Sequence, residues 1–363
     1  MKVFIVTGEA SGDLYGGFLT REMRALDPSI AVMGAGSSRM REAGAEILGD
    51  PTAFASIGFV EALAHFKHYR ALFATLRRAL EERRPDVVVL VDFPDFNLRL
   101  APHVKRLGIP IVYYISPQLW AWRPGRIRRM AELVDRVLVI FPFERELYER
   151  RRVPVTFVGH PLFDVIAARP PAADLRAELG SPLIGLLPGS RMKQYRTLMP
   201  RMAEAAERIR AARPDARFVV AGAPTIPLDA PRPDGIPFLH DRTHDVLSSA
   251  DQLLTASGTA TVEAALYGVP MVVTYWVNPL AALLVRPLLK VDRFAMVNLL
   301  AGRDIVPELY QSKAKPKLMA DAVLDMLRPE RAAEVKAALA AVRDSLGGPG
   351  ASRRAAEQVL AIL

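Results

Sequence analysis

No cysteine occurs in the 363 residues, which excludes disulfides, thiolate zinc sites, iron–sulfur clusters and cysteine nucleophiles together. Chemistry is left to oxygen, nitrogen and main-chain groups. Long apolar runs are missing too: the most apolar stretch, residues 270–289, is interrupted by Asn278, Pro279, Arg286 and Pro287. A membrane span needs about 20 mainly apolar residues. None of the six histidines has H-E-x-x-H spacing, and no D-x-D run could hold a divalent ion on a diphosphate. A hydrolase elbow, a G-x-G-x-x-G dinucleotide turn and a Walker loop are likewise absent.

What is present is the composition of a folded chain, with 51% of residues hydrophobic and 24% charged. The formal charge is +9, which suits nucleic acid, an anionic membrane surface or phosphorylated small molecules. Residues 1–165 hold 23 basic against 19 acidic residues, so no basic tail accounts for the excess. Two clusters do stand out: Lys67, Arg70, Arg77, Arg78, Arg83 and Arg84, then Arg123, Arg126, Arg128, Arg129 and Arg136. The opening Met-Lys-Val-Phe-Ile-Val reads as a strand entering a glycine loop and not as a signal peptide, which predicts a cytoplasmic location.

Short apolar runs at 3–7, 87–91, 111–115, 137–140, 155–158, 183–187, 217–221, 252–255 and 271–275 alternate with helical segments. Runs buried on both faces with helices between them predict doubly wound parallel sheets. The break at Ala167-Ala168-Arg169-Pro170-Pro171-Ala172-Ala173-Asp174 predicts domains over 1–168 and 175–345. Gly347-Gly348-Pro349-Gly350 sets off a last helix over 351–363. Two Rossmann-like domains of this kind place ligands in a cleft, at the carboxyl ends of their strands.

Five segments carry chemistry. Gly8-Glu9-Ala10-Ser11-Gly12-Asp13 turns from the first strand into a helix, either to bring backbone amides to an anion or as a tight turn capped by Ser11 or Asp13. Asp92-Phe93-Pro94-Asp95-Phe96-Asn97 places two carboxylates past a buried strand, as a general base for a sugar hydroxyl or as helix caps, with Asp95 the better cap. Residues 113–126 put Trp120 and Trp122 beside arginines, a set that stacks bases, binds sugar phosphates, meets lipid or lies in the core. Leu187-Pro188-Gly189-Ser190-Arg191 suits a diphosphate: Gly189 allows close approach, and Arg191 neutralises two oxygens at once. Ser257-Gly258-Thr259-Ala260, with Glu263 one turn into the helix, offers amides to phosphate and a carboxylate to ribose hydroxyls. Two phosphate-type turns in one half outweigh two coincidental caps. His160 closes a strand, facing the cleft or binding backbone. Phe59, Leu63, Phe66, Phe73, Leu76 and Leu80 form an apolar stripe beside basic residues. Helical spacing favours packing on the sheet over lying on lipid.

Together these segments, with Phe141-Pro142-Phe143-Glu144, Val158-Gly159-His160 and Asn298-Leu299-Leu300-Ala301-Gly302-Arg303, resemble the lipid-A-disaccharide synthase family along almost the whole chain. These are inverting glycosyltransferases of the GT-B type. The resemblance implies transfer from UDP-2,3-diacylglucosamine to 2,3-diacylglucosamine 1-phosphate through a β(1→6) bond, without metal or cofactor. It implies Asp92 as general base and Arg191 at the diphosphate. It assigns UDP to Ser257, Gly258, Thr259, Ala260 and Glu263, with Gly189, Ser190, Asn298 and Gln311 nearby, and the acceptor to Gly8, Glu9, Ser11, Gly12 and Asp13. It also implies peripheral attachment to the inner face of the cytoplasmic membrane, no nucleic acid, and a homodimer that can exchange C-terminal segments. Gln194, Trp276 and Val297 depart from the family pattern, where an acid, a basic residue and a proline are usual. The alternatives are another GT-B enzyme on UDP-N-acetylglucosamine, epimerase or transferase, and a non-catalytic paralogue that binds nucleotide-sugar or lipid.

Overall fold

The computed structural model describes residues 1–52, 66–117, 119, 125–276 and 293–362. The predictions that fall on Phe59, Leu63, Trp120, Trp122 and Arg123 lie outside the described residues, as does most of the apolar 270–289 stretch. The chain forms two compact units, Met1–Asp164 with Leu346–Leu363, and Val165–Ser345.

In the first unit the chain order is β1 (Lys2–Val6), α1 (Ala10–Leu26), β2 (Ala31–Ala35), α2 (Ser38–Glu42), β3 (Glu46–Gly49), α3 (Phe66–Arg83), β4 (Val87–Val91) and α4 (Pro94–Arg106). Then come β5 (Ile111–Tyr114), α5 (Arg126–Leu133), β6 (Arg136–Val139), α6 (Pro142–Glu149), β7 (Val155–Phe157) and α7 (Leu162–Ala168). The seven strands are ordered β3-β2-β1-β4-β5-β6-β7 and every pair is parallel. Val87-Val88-Val89-Leu90-Val91 is buried throughout, as expected where helices cover both sheet faces. On α3, Leu76, Ala79 and Leu80 join the core of this sheet and Phe73 packs against it. Within the described residues the amphipathic stripe is therefore a sheet-facing one, with Lys67, Arg70, Arg77 and Arg78 exposed.

The second unit begins within α7 and continues through α8 (Leu175–Leu179), β8 (Leu183–Leu187), α9 (Met192–Ala212), β9 (Arg217–Gly222), β10 (Phe238–His240), α10 (Thr243–Ser249), β11 (Gln252–Ala256), α11 (Thr259–Tyr267) and β12 (Met271–Tyr275). It ends with α12 (Met296–Ala301), β13 (Glu308–Tyr310), α13 (Pro316–Met326) and α14 (Pro329–Ser345). Its sheet is ordered β10-β9-β8-β11-β12-β13, again all parallel. The Pro-rich 167–174 stretch does not hang free: Ala172 N donates to Asp245 (2.7 Å) and Leu175 N to Ser249 Oγ (3.0 Å). It belongs to the second unit, and the division falls ahead of it.

The last helix, α15 (Ala351–Leu360), packs on α1 of the first unit. Asp164 accepts from the amides of Gly350 (2.6 Å) and Ser352 (2.7 Å), and Arg354 Nε donates to Val158 O (2.8 Å). Arg136, counted in a basic cluster by sequence, donates to Gln358 of this helix.

Candidate active site

In each sheet the strand order reverses at one place, between β1 and β4 and between β8 and β11, and open α/β sheets bind ligands beyond the carboxyl ends of strands at such a switch point. The four loops leaving these strands carry four of the five segments singled out by sequence.

At the first switch point the Gly8 turn follows β1 and Asp92 follows β4. The two loops interlock. A side chain on Gly8 would begin 2.1 Å from Cγ of Phe93, so only glycine lets that ring lie against the turn. Phe93 also stacks on Phe96, with ring centres 5.1 Å apart, and is tilted against Tyr69. Asp92 and Phe93 both take left-handed backbone conformations, φ 45° and 47°, which cost non-glycine residues of order 1 kcal/mol or more each.

The half-buried Asp92 carboxyl is pushed up to about 6 by burial first and then by the charge of Glu9, against a smaller opposing effect of the Phe93 amide. A carboxylate of that basicity accepts a proton from a hydroxyl near neutral pH better than an ordinary one. Replacing Glu9 by Gln removes a raising charge, so Asp92 should ionise at lower pH. We expect the acid limb of kcat/KM to move down in Glu9→Gln, and an unmoved or upward-shifted limb would contradict the coupling.

Asp95, predicted as a cap, lies inside the first turn of α4, where Phe93 holds the cap position; it is exposed and ion-paired with Arg126. Ser11 is exposed on the first turn of α1. Asp13 is buried, and its carboxylate accepts the amides of Ser37 (2.6 Å), Arg39 (2.9 Å) and Met40 (3.3 Å). Those oxygens hold the start of α2. Gly12 lies in ordinary contact with Thr7. His160 is the structural histidine: burial lowers it to about 3, its Nδ1 accepts the Leu162 amide (3.2 Å), and it packs on Phe141.

At the second switch point Gly189 follows β8 with φ +102°, a conformation that favours glycine. Arg191 is exposed at the N-cap of α9, whose 21 residues direct a helix N-terminus at this turn. Gln194 lies on Gly189, its Oε1 2.3 Å from where a Cβ would stand. The departure at Gln194 thus puts a neutral amide beside the turn. The Arg191 charge also acts on Tyr275, whose phenol is raised by burial and held back by the arginine.

Gly258, with φ +156°, opens α11, where Thr259 and Ala260 contribute the first helical amides. Ser257 Oγ donates to Phe294 O (3.0 Å). Glu263 is pushed up to about 7 by burial, and its carboxyl has no hydrogen-bond partner among the described residues.

Asn298 is fully buried with every polar atom engaged: Nδ2 donates to Val306 O (2.9 Å) and Glu308 (2.7 Å), and Oδ1 accepts from Ile305 and Val306. It clamps the chain leading into β13. Gln311, half-buried with φ 51°, follows that strand. Phe294, Tyr310 and Tyr275 form a parallel stack with ring centres 4.5 and 6.0 Å apart. With Ser257, Thr274 and Glu308 they line a small cavity. The sequence reading missed this stack, Phe93 and the anchoring of Asp92; the only available signal was the clustering of aromatics at strand ends. Trp276 packs on the second core under the Arg201 guanidinium, 4.8 Å from its ring centre, and Val297 is buried in α12.

Among the described residues no group of three or more His, Asp or Glu side chains is placed to hold a metal ion, and no helix is long and apolar enough to cross a membrane.

Two parallel-sheet Rossmann-like units, each with its switch point at the carboxyl ends of the strands, give the chain the architecture of the GT-B class. Solved structures agree on the fold: the glycotransferase of kitacinnamycin aligns with a TM-score of 0.72 at 20% identity, covering 100% of this chain and 99% of that one. A UDP co-structure of S. aureus MnaA gives 0.71 at 12% identity over 100% and 97%. The sequence profile described as lipid-A-disaccharide synthetase matches residues 3–362. Lipid-A-disaccharide synthases of Anaeromyxobacter sp. (strain K) and Geobacter sulfurreducens are 45% and 42% identical, each over 100% of this chain and 97% of the relative. The chain belongs to the lipid-A-disaccharide synthase family.

Proposed function

We propose that the protein transfers the 2,3-diacylglucosaminyl group of UDP-2,3-diacylglucosamine to the 6-hydroxyl of 2,3-diacylglucosamine 1-phosphate. The observation that carries this reading is a basic carboxylate at one switch point and a diphosphate-type arginine turn at the other, in a chain of this family. Asp92 removes the proton of the acceptor hydroxyl as its oxygen attacks the anomeric carbon. The bond to UDP breaks on the opposite face, which inverts the configuration. Arg191 and the first amides of α9 meet the charge that develops on the diphosphate. The first unit takes the acceptor along Gly8, Glu9, Ser11 and Gly12. The second takes UDP along Gly189, Ser190, Ser257, Gly258, Thr259 and Ala260, with Glu263 on the ribose and Gln311 beside it.

Both sugars carry acyl chains, so the protein has to work at a lipid surface. The exposed Lys67, Arg70, Arg77 and Arg78 on α3 suit anionic headgroups at the inner face of the cytoplasmic membrane. Arg83 and Arg84 are tied to Glu46 and to Leu107 O.

The test is incubation with both substrates in detergent plus chelator, following UDP release and the mass of the lipid product. A tetraacyl disaccharide 1-phosphate is expected. Epimerised nucleotide-sugar would favour an epimerase, and UDP binding without transfer a non-catalytic relative; either overturns the proposal.

A further inference from the structure

Behind Asp92 lies a buried polar group that the reaction as described does not use. Tyr113 Oη, from the neighbouring strand β5, donates to the main-chain oxygen of Asp92 at 2.5 Å. Asn97 Nδ2, from the first turns of α4, donates to the same oxygen at 2.7 Å and to Val91 O at 3.3 Å. Both side chains are fully buried. The Asp92 amide is fixed as well, donating to Tyr114 O at 3.0 Å. The peptide groups on both sides of the Asp92 Cα are therefore held, at a residue whose backbone would otherwise leave the left-handed region.

We infer that Asn97 and Tyr113 are positioning residues for the general base: two side-chain donors converge on one carbonyl to hold Asp92 in a left-handed turn, which presents its carboxyl at the sheet edge. Carbonyl oxygens have two lone pairs, so both donors can be accommodated. Burial and the Asp92 charge push the Tyr113 phenol far up, so it stays protonated and remains a donor at every working pH. If either donor is lost, Asp92 can return to an ordinary backbone conformation, which swings its carboxyl away and rehydrates it. Misplacement by about 1 Å is enough to lower a rate by about 10²-fold. The second unit, which holds the arginine turn, is untouched.

This inference rests on Asp92 being the base, so Asp92→Asn is assayed in parallel with Tyr113→Phe and Asn97→Ser. Tyr113→Phe keeps the ring and its packing, which guards against a folding defect in the Asn97 variant. For both positioning variants we expect kcat to fall about 10–100-fold, with KM for the UDP-sugar unchanged. The acid limb of the pH profile should shift down toward the ordinary carboxylate range. If kcat falls while the limb stays in place, or both stay within about threefold of wild type, the positioning role is overturned although Asp92→Asn is inactive. Near-normal turnover of Asp92→Asn overturns the base assignment, and the positioning role with it.

Discussion

Asp92→Asn should lower turnover by about 10²–10⁴-fold, the range lost with a general base, while leaving UDP affinity and the fold intact. The amide keeps the size and most hydrogen bonds of the carboxyl but cannot take a proton. Its effect on stability has a defined sign. Burial and Glu9 raise Asp92 from 3.8 to about 6, so the folded protein binds this proton more tightly than the unfolded chain. The associated stabilisation is full below the unfolded value and is lost as pH rises through about 6. At pH 7 the ionised Asp92 therefore subtracts from stability, and a neutral amide in its place does not. The variant should melt at the same temperature as wild type or higher at pH 7, and the difference should shrink toward pH 4. In wild type, kcat/KM should fall below pH about 6 as the base is protonated. A variant with wild-type turnover would remove Asp92 from the chemistry; one that melts early would make lost turnover uninformative, and calorimetry separates the two.

Backbone strain and burial at Asp92 both work against folding. A carboxylate strong enough to act near neutral pH has to be partly withdrawn from water and set beside like charge, and both conditions oppose folding. The chain offsets them locally with Asn97, Tyr113 and the Gly8–Phe93 contact. None of these is visible as a sequence pattern. A left-handed non-glycine residue has no signature in its own side chain, and Tyr113 acts from 21 positions away.

Legibility followed periodicity elsewhere too. The central strands β4 (Val-Val-Val-Leu-Val) and β8 (Leu-Ile-Gly-Leu-Leu) are apolar runs buried along their whole length and are read directly. β2 contains Gly34, β3 is a half-buried edge, and β10 and β13 have three residues each. Such segments are too short or too mixed to alternate. The turns after β8 and β11 were legible as turns because glycine stands between strand and helix in each. The partners of polar side chains were not: Asn298 and Asp13 stand in the same segments as residues proposed to meet substrate, yet their atoms are committed to neighbouring backbone. Local sequence distinguishes a clamp from a ligand contact only when the strands it must bridge are known.

Arg191→Ala should be the other severe substitution, lowering kcat by about 10²–10³-fold, as when one preorganised donor to developing charge is lost. In the ground state UDP-sugar already carries charge that α9 and the Gly189 turn can meet, so KM should rise less than kcat falls. Breaking the glycosidic bond adds a further charge on the β-phosphate, where a planar guanidinium can donate to two oxygens at once. Arg191→Lys keeps the charge but loses the fork, and should recover only part of the rate. Because Arg191 is exposed and begins α9 without a capping side-chain bond, its replacement should leave the melting temperature nearly unchanged. Single-turnover rates with preloaded UDP-sugar isolate the chemical step from donor binding. A variant that loses affinity for UDP in proportion to turnover, with an unchanged single-turnover rate, would make Arg191 a binding residue only. In that case the charge on the leaving group would have to be met by the α9 amides alone.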